Sequence, residues 1–106
     1  MKQYKVRTSP HATEKIAYYG SYIAHKSASL EVADHWVDQV YAAIDTLAHA
    51  PYRFELAEEN AHRDYEVRCR VIGNYLALYT VDEEAGVVRV LNFRHSRQLP
   101  QPEELP

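Results

Sequence analysis

The stretch Tyr65-Glu66-Val67-Arg68-Cys69-Arg70-Val71-Ile72-Gly73-Asn74-Tyr75-Leu76-Ala77-Leu78-Tyr79-Thr80-Val81 decides the fold. Tyr65, Val67, Cys69 and Val71 alternate with Glu66, Arg68 and Arg70, the two-residue period of a strand with one face toward a core. Gly73-Asn74 supplies a tight turn. The segment from Tyr75 to Val81 is apolar on both faces, as a central strand requires. Asp82-Glu83-Glu84-Ala85-Gly86 forms a second turn, and Val87 to Phe93 returns as a last strand. The result is an antiparallel meander.

Upstream the period changes to that of helices. Tyr4-Lys5-Val6-Arg7-Thr8 alternates as a short first strand and stops at Ser9-Pro10. Serine caps free helix amides and proline is tolerated in the first turn, so a helix starts there. Ala12, Ile16, Tyr19 and Ile23 then mark one helical face. Gly20 weakens this helix by about 1 kcal/mol relative to alanine, which points to close approach of another element. After the polar break Lys26-Ser27-Ala28-Ser29, Ser29 with Glu31 starts a second helix. Its stripe runs through Ala33, Trp36 or Val37, Val40, Ile44 and Leu47, and Pro51 ends it at about His49-Ala50. Residues 52–64, with Glu55, Glu58, Glu59 and Asp64, read as an acidic surface loop. The order is β-α-α-β-β-β: an α+β fold in which a helical hairpin packs on one face of a small antiparallel sheet. Residues 1–99 form one domain and residues 100–106 a short proline-rich tail.

Composition bounds the function. A chain of 106 residues with 46% apolar side chains fits one compact domain. Its single cysteine, Cys69, has no partner for a disulfide, and a reducing cytoplasm is the expected location. Cys69 sits on the apolar side of its strand and reads as a small core residue rather than a reactive thiol. The amino terminus is too charged for a signal peptide, and no run is long enough for a membrane span. The net charge of −3 argues against a general polyanion binder.

The six histidines are never three to five residues apart, so no metal pair is expected. The three glycines are scattered, which excludes a phosphate-cradling loop. What remains is arginine. Every basic residue after position 53 is an arginine, and the guanidinium fork suits carboxylates and phosphates. Arg68 and Arg70 share a strand face about 7 Å apart, and Arg94, His95 and Arg97 lie at the end of the last strand. Two readings stay open. The arginines cradle phosphate beside His95, the one group able to move a proton near neutral pH, or they pair with Glu66 and the acidic loop. Tyr19, Tyr75 and Tyr79 fall on apolar stripes. Tyr18 and Tyr22, four apart beside the first-helix stripe, suit packing inside the hairpin before an exposed interaction patch.

Several local patterns together resemble the RelE/ParE toxin family. Thr8-Ser9-Pro10-His11-Ala12 is similar to its strand-to-helix junction, and Leu47 followed by Pro51 to its second-helix terminus. The stretch from Tyr65 to Tyr75, continuing to Tyr79 and Val81-Asp82, is similar to its central hairpin. Val90-Leu91-Asn92-Phe93-Arg94-His95 resembles its last strand. The resemblance implies the toxin of a type II toxin–antitoxin pair, a growth inhibitor associated with plasmid stabilisation. Such a toxin is held inactive by a cognate antitoxin in a hetero-oligomer, with no cofactor and no membrane. It implies one of two targets, DNA gyrase for ParE-like members or messenger RNA in the ribosome for RelE-like members. A third expectation is a member that only binds and is not toxic. The nuclease set is incomplete: Leu76 stands where RelE-like nucleases carry a basic residue, Glu66 and Arg68 stand in place of strand lysines, and no tyrosine follows Tyr79. Affinity for RNA is dominated by phosphate charge, which an acidic chain serves poorly. The gyrase-directed reading is therefore preferred. If the chain is a nuclease, its catalytic residues are His95, Arg68, Arg70 and Arg97. In either case Arg68, Arg70, Arg94, Tyr18 and Tyr22 are expected to bind the partner.

Overall fold

A computed structural model describes residues 2–106. Strand β1 (Lys5–Thr8) leads into helix α1 (Pro10–Ser27) and helix α2 (Leu30–Asp45), followed by strands β2 (Arg68–Ile72), β3 (Tyr75–Asp82) and β4 (Val87–His95). Ser9 caps α1 by accepting from the Ala12 amide, and Ser29 caps α2 by accepting from the Val32 amide. Each such cap contributes about 1 kcal/mol. Helix α2 closes at Asp45 and tightens into a 3₁₀ turn at Thr46–Ala48, slightly before the position that Pro51 alone suggests. Gly20 sits at the hairpin contact: a Cβ there would stand 3.1 Å from a methyl of Val37.

The sheet order is β1-β4-β3-β2. The β2-β3-β4 meander is antiparallel as expected, while β1 joins the edge of β4 in parallel, so the sheet is mixed. The β2–β3 turn has Gly73 at φ 61 and no positive φ at Asn74, which matches a type II′ hairpin turn. Between Leu78 and Tyr79 the register slips, because Leu78 faces Asn92 while Tyr79 faces Val90. Leu91 is the extra residue of a β-bulge.

The bulge lets one strand serve two cores. On the helical side Ile16, Tyr19, Val40 and Ile44 pack against Ala77, Tyr79, Val88, Val90 and Phe93. On the other side Leu78 and Leu91 pack with Val67, Ala57 and Leu105. Sequence periodicity accounts for the first layer only. The second is built from the acidic loop and the tail, and the loop departs from the sequence reading. The loop is not wholly a surface segment, because Glu59 is buried within it. The proline-rich tail folds back onto the sheet: Arg63 donates to the carbonyls of Pro102 and Leu105, and His11 and Lys15 of α1 meet Glu104.

This two-sided burial reverses the expected direction of the β2 arginines. Tyr65, Val67 and Cys69 do face a core, but it is the loop-and-tail layer, and Val71 is 58% exposed. Arg68 and Arg70 lie opposite Tyr79 and Ala77, so they point to the helical side. They do not leave the packed faces for solvent.

Candidate functional site

The expected arginine cluster does not converge, and each member shows why. Arg68 donates to the Phe54 carbonyl at 2.7 Å and to the Tyr52 carbonyl at 3.3 Å, stacks 5.3 Å over the Tyr52 ring and pairs with Glu66 at 3.1 Å. Arg70 reaches the Ala43 carbonyl at the end of α2 at 3.4 Å and stacks 4.8 Å from the Phe54 ring, whose surroundings also include Arg53 at 4.5 Å. These guanidinium groups tie the sheet edge to the segment after α2. Cation–ring stacking and carbonyl bonds of this kind are ordinary structural uses of arginine.

Arg94 points to the opposite side of the sheet and is 1% exposed. Its Nε donates to Glu59 Oε2 at 2.8 Å and its Nη2 to Oε1 at 3.2 Å, a two-pronged pair closed off from solvent. A third donor, Nη1, holds the Gln98 carbonyl at 3.0 Å. Arg94 therefore cannot share a phosphate with Arg68 or Arg70, nor meet a partner at the surface. Burial alone would push the Glu59 carboxyl up, but the Arg94 and backbone hydrogen bonds outweigh it and hold the group below the usual carboxylate range. No residue pattern within the loop marks Glu59 apart from Glu55 or Glu58, because its burial depends on a partner 35 positions away.

His95 stays on the helical side, opposite Tyr75, and its ring meets the Tyr75 ring edge-on at 5.1 Å. Its Nδ1 accepts the Arg97 amide at 3.0 Å, which places the proton of a neutral ring on Nε2. Two strands and two residues separate it from Arg70, about 12 Å by ordinary sheet spacings. Arg97 is exposed in the following turn. Burial raises the Cys69 thiol, in keeping with an inert core cysteine, and pushes the Tyr79 hydroxyl up to about 12 while it donates to the Pro51 carbonyl.

Tyr18 and Tyr22 are 67% and 52% exposed, so they do not pack the hairpin as the sequence suggests. Gly20, Ala33 and Val37 fill that contact instead, and the stripe one position round the helix is left outside. With Tyr19, Tyr75, Lys26 and His95 the two tyrosines line an open groove of about 410 Å³. Tyr19, Lys26, Asn74 and Tyr75 are the members that sequence reading did not assign to a site. The signal for Lys26 was present, since it follows Tyr22 by one helical turn. Tyr75 faces α1 across the sheet, a relationship no local pattern encodes. Among the described residues no group of histidine, cysteine and acidic side chains could hold a metal ion. Among the described residues no helix is long and apolar enough to cross a membrane.

A family model described as the ParE toxin of the type II toxin–antitoxin system parDE matches residues 6–100. The chain belongs to the ParE toxin family. Among solved structures, this ParE-family chain is similar to a chain of the chromosomal ParDE system of P. aeruginosa, with a TM-score of 0.72, 11% identity and coverage of 90% of this chain and 98% of that one. It is also similar to a chain of the RelBE2 toxin–antitoxin complex of Mycobacterium tuberculosis, with a TM-score of 0.56, 23% identity and coverage of 90% and 93%. At these identities the two likenesses establish the shared fold, two helices on a four-stranded mixed sheet. Comparison with curated proteins gives no match.

Proposed function

We propose that this chain arrests growth by inhibiting DNA gyrase through protein contact, without a catalytic centre, and that a cognate antitoxin neutralises it. The observation that carries this reading is the dispersal of the arginines. Arg68 and Arg70 are committed to carbonyls and rings, and Arg94 is sealed against Glu59. Phosphoryl-transfer catalysis needs cationic groups preorganised around one reacting position, and no such position exists between them. Leu76, half-buried in the loop-and-tail layer, offers no substitute cation. A net charge of −3 further disfavours messenger RNA on the ribosome as a target.

The deciding experiment expresses the protein alone and with the antitoxin encoded beside it, then assays purified protein on two substrates. The expected outcome is growth arrest relieved by the antitoxin, loss of gyrase supercoiling, and intact messenger RNA on ribosomes. Codon-phased cleavage abolished by His95→Ala would overturn the reading and make His95 catalytic, with Arg97 as its neighbouring cation. Unimpaired growth with folded protein would leave a member that binds but is not toxic.

A further inference from the structure

The groove between α1 and the end of the sheet has an uneven chemistry. Its walls are tyrosines and Asn74, its other titratable members are Lys26 and His95, and among the described residues no carboxylate lines it, in a chain whose acids outnumber its lysines and arginines 15 to 12. Lys26 Nζ lies 5.7 Å over the Tyr22 ring and has no acidic partner among the described residues. The Tyr19 hydroxyl is engaged with Gln98 at 2.8 Å, while those of Tyr18, Tyr22 and Tyr75 have no such partner among the described residues. Because His95 Nδ1 is occupied by the Arg97 amide, the ring offers Nε2–H as a donor. The groove therefore presents apolar ring surface edged by donors and one cation.

We propose that this groove seats an antitoxin segment in which an apolar side chain lies between Tyr18, Tyr22 and Tyr75 and an adjacent carboxylate meets Lys26 and His95. The inference rests on the antitoxin reading above and names its anchor. Charge complementarity selects the occupant. Single-stranded nucleic acid would stack on the same rings, but it draws its affinity from several phosphate contacts, and the groove offers one lysine and one histidine. A second copy of this chain packed groove on groove about a two-fold axis would set one set of these lining residues against another, with no acid among them to receive Lys26. An acidic segment with one apolar anchor satisfies both the rings and the cation. Exposed aromatic anchors with a polar rim are the usual centre of binding energy in such contacts.

The test measures binding of the neighbouring antitoxin to the full chain by calorimetry, with thermal melts of every variant. Tyr22→Ala and Lys26→Glu are each expected to weaken binding at least tenfold with melts unchanged, because both side chains lie at the surface. The Lys26 effect should shrink in 0.5 M salt, and replacing one antitoxin carboxylate by lysine should restore binding to K26E. Should Tyr22→Ala disturb folding, the charge swap alone decides. Strong binding that neither substitution alters would overturn the groove while leaving the antitoxin reading intact. No binding by the unaltered chain would overturn both. A decathymidine oligonucleotide that binds the unaltered chain and not K26E would assign the groove to nucleic acid and overturn the proposal.

Discussion

Arg94 Nε lies 2.8 Å from Glu59 Oε2 where both side chains are shut away from water, and the pair joins the last strand to the loop that covers it. Removing one partner strands the other charge. Arg94→Ala or Glu59→Ala should cost about 3–5 kcal/mol, whereas Arg94→Met combined with Glu59→Leu should recover most of that loss. Urea denaturation of the three variants checks the pattern. The Glu59 carboxyl is held below its unfolded value of 4.5. Its stabilisation is therefore full above that pH and is lost as the pH falls through the lower folded value, and the double variant should lack this component of acid sensitivity.

Arg68 should behave as a structural residue. Arg68→Ala deletes bonds to the Phe54 and Tyr52 carbonyls and the stack on Tyr52, at an expected cost of about 1–3 kcal/mol. Arg70→Ala gives up one long carbonyl bond and a ring contact and should cost less, about 1 kcal/mol. Denaturant midpoints rank the two, and an Arg68→Ala protein as stable as the parent would contradict the assignment.

Helix α1 tolerates glycine at position 20 because of Val37. Val37 is β-branched and holds one rotamer on a helix, so it cannot step aside from a new Cβ only 3.1 Å away. Gly20→Ala alone should lose about 1 kcal/mol, the crowding exceeding the gain in helix propensity. In a Val37→Ala background the same change should become stabilising. A double-mutant cycle of thermal melts reads the reversal of sign.

Glu83, in the β3–β4 turn, accepts from Lys2 Nζ at 2.6 Å, from the Tyr52 hydroxyl at 2.5 Å and from the Tyr4 hydroxyl at 2.8 Å. Those bonds hold its carboxyl down to about 2, and they push the Tyr52 hydroxyl up to about 12. Stability from Glu83 is present above 4.5 and lost as the pH falls toward 2. Stability from Tyr52 is present below 10 and lost as the pH rises toward 12. Carboxyl carbon NMR should place the Glu83 titration near 2, and Tyr52→Phe should move it upward.

Much of this fold is written locally. Ser9 and Ser29 cap their helices through atoms three residues away, and Gly73-Asn74 closes its turn within two residues, so reading along the chain finds them. The β2 alternation is legible too, but it shows only that two faces differ. Whether Arg68 or Val67 meets the helices depends on which layer covers which face, and here both faces are covered. The second layer escapes notice because its members, Ala57, Glu59 and Leu105, are isolated in irregular segments without a period. The exposed stripe at Tyr18 and Tyr22 has the spacing of a packed one, but Ile16 and Tyr19 enter the core and Gly20 meets Val37, which leaves that stripe outside.

The extra residue at Leu91 acts as a parity switch. Counting back from His95 and Phe93, strict alternation would bring Leu91 and Arg89 under the helices and turn Val90 and Val88 away. With one residue unpaired, the count changes sign at the bulge, and Val88 and Val90 are the ones enclosed. Deleting Leu91 would therefore leave Phe93, Val90 and Val88 in plain alternation toward the helices and cost the loop-and-tail layer one apolar side chain. Inserting a residue between Leu78 and Tyr79 would instead give Leu91 a partner in the ladder, transpose the far halves of β3 and β4, and turn Arg89 toward the helices, with no register left that satisfies both cores at once.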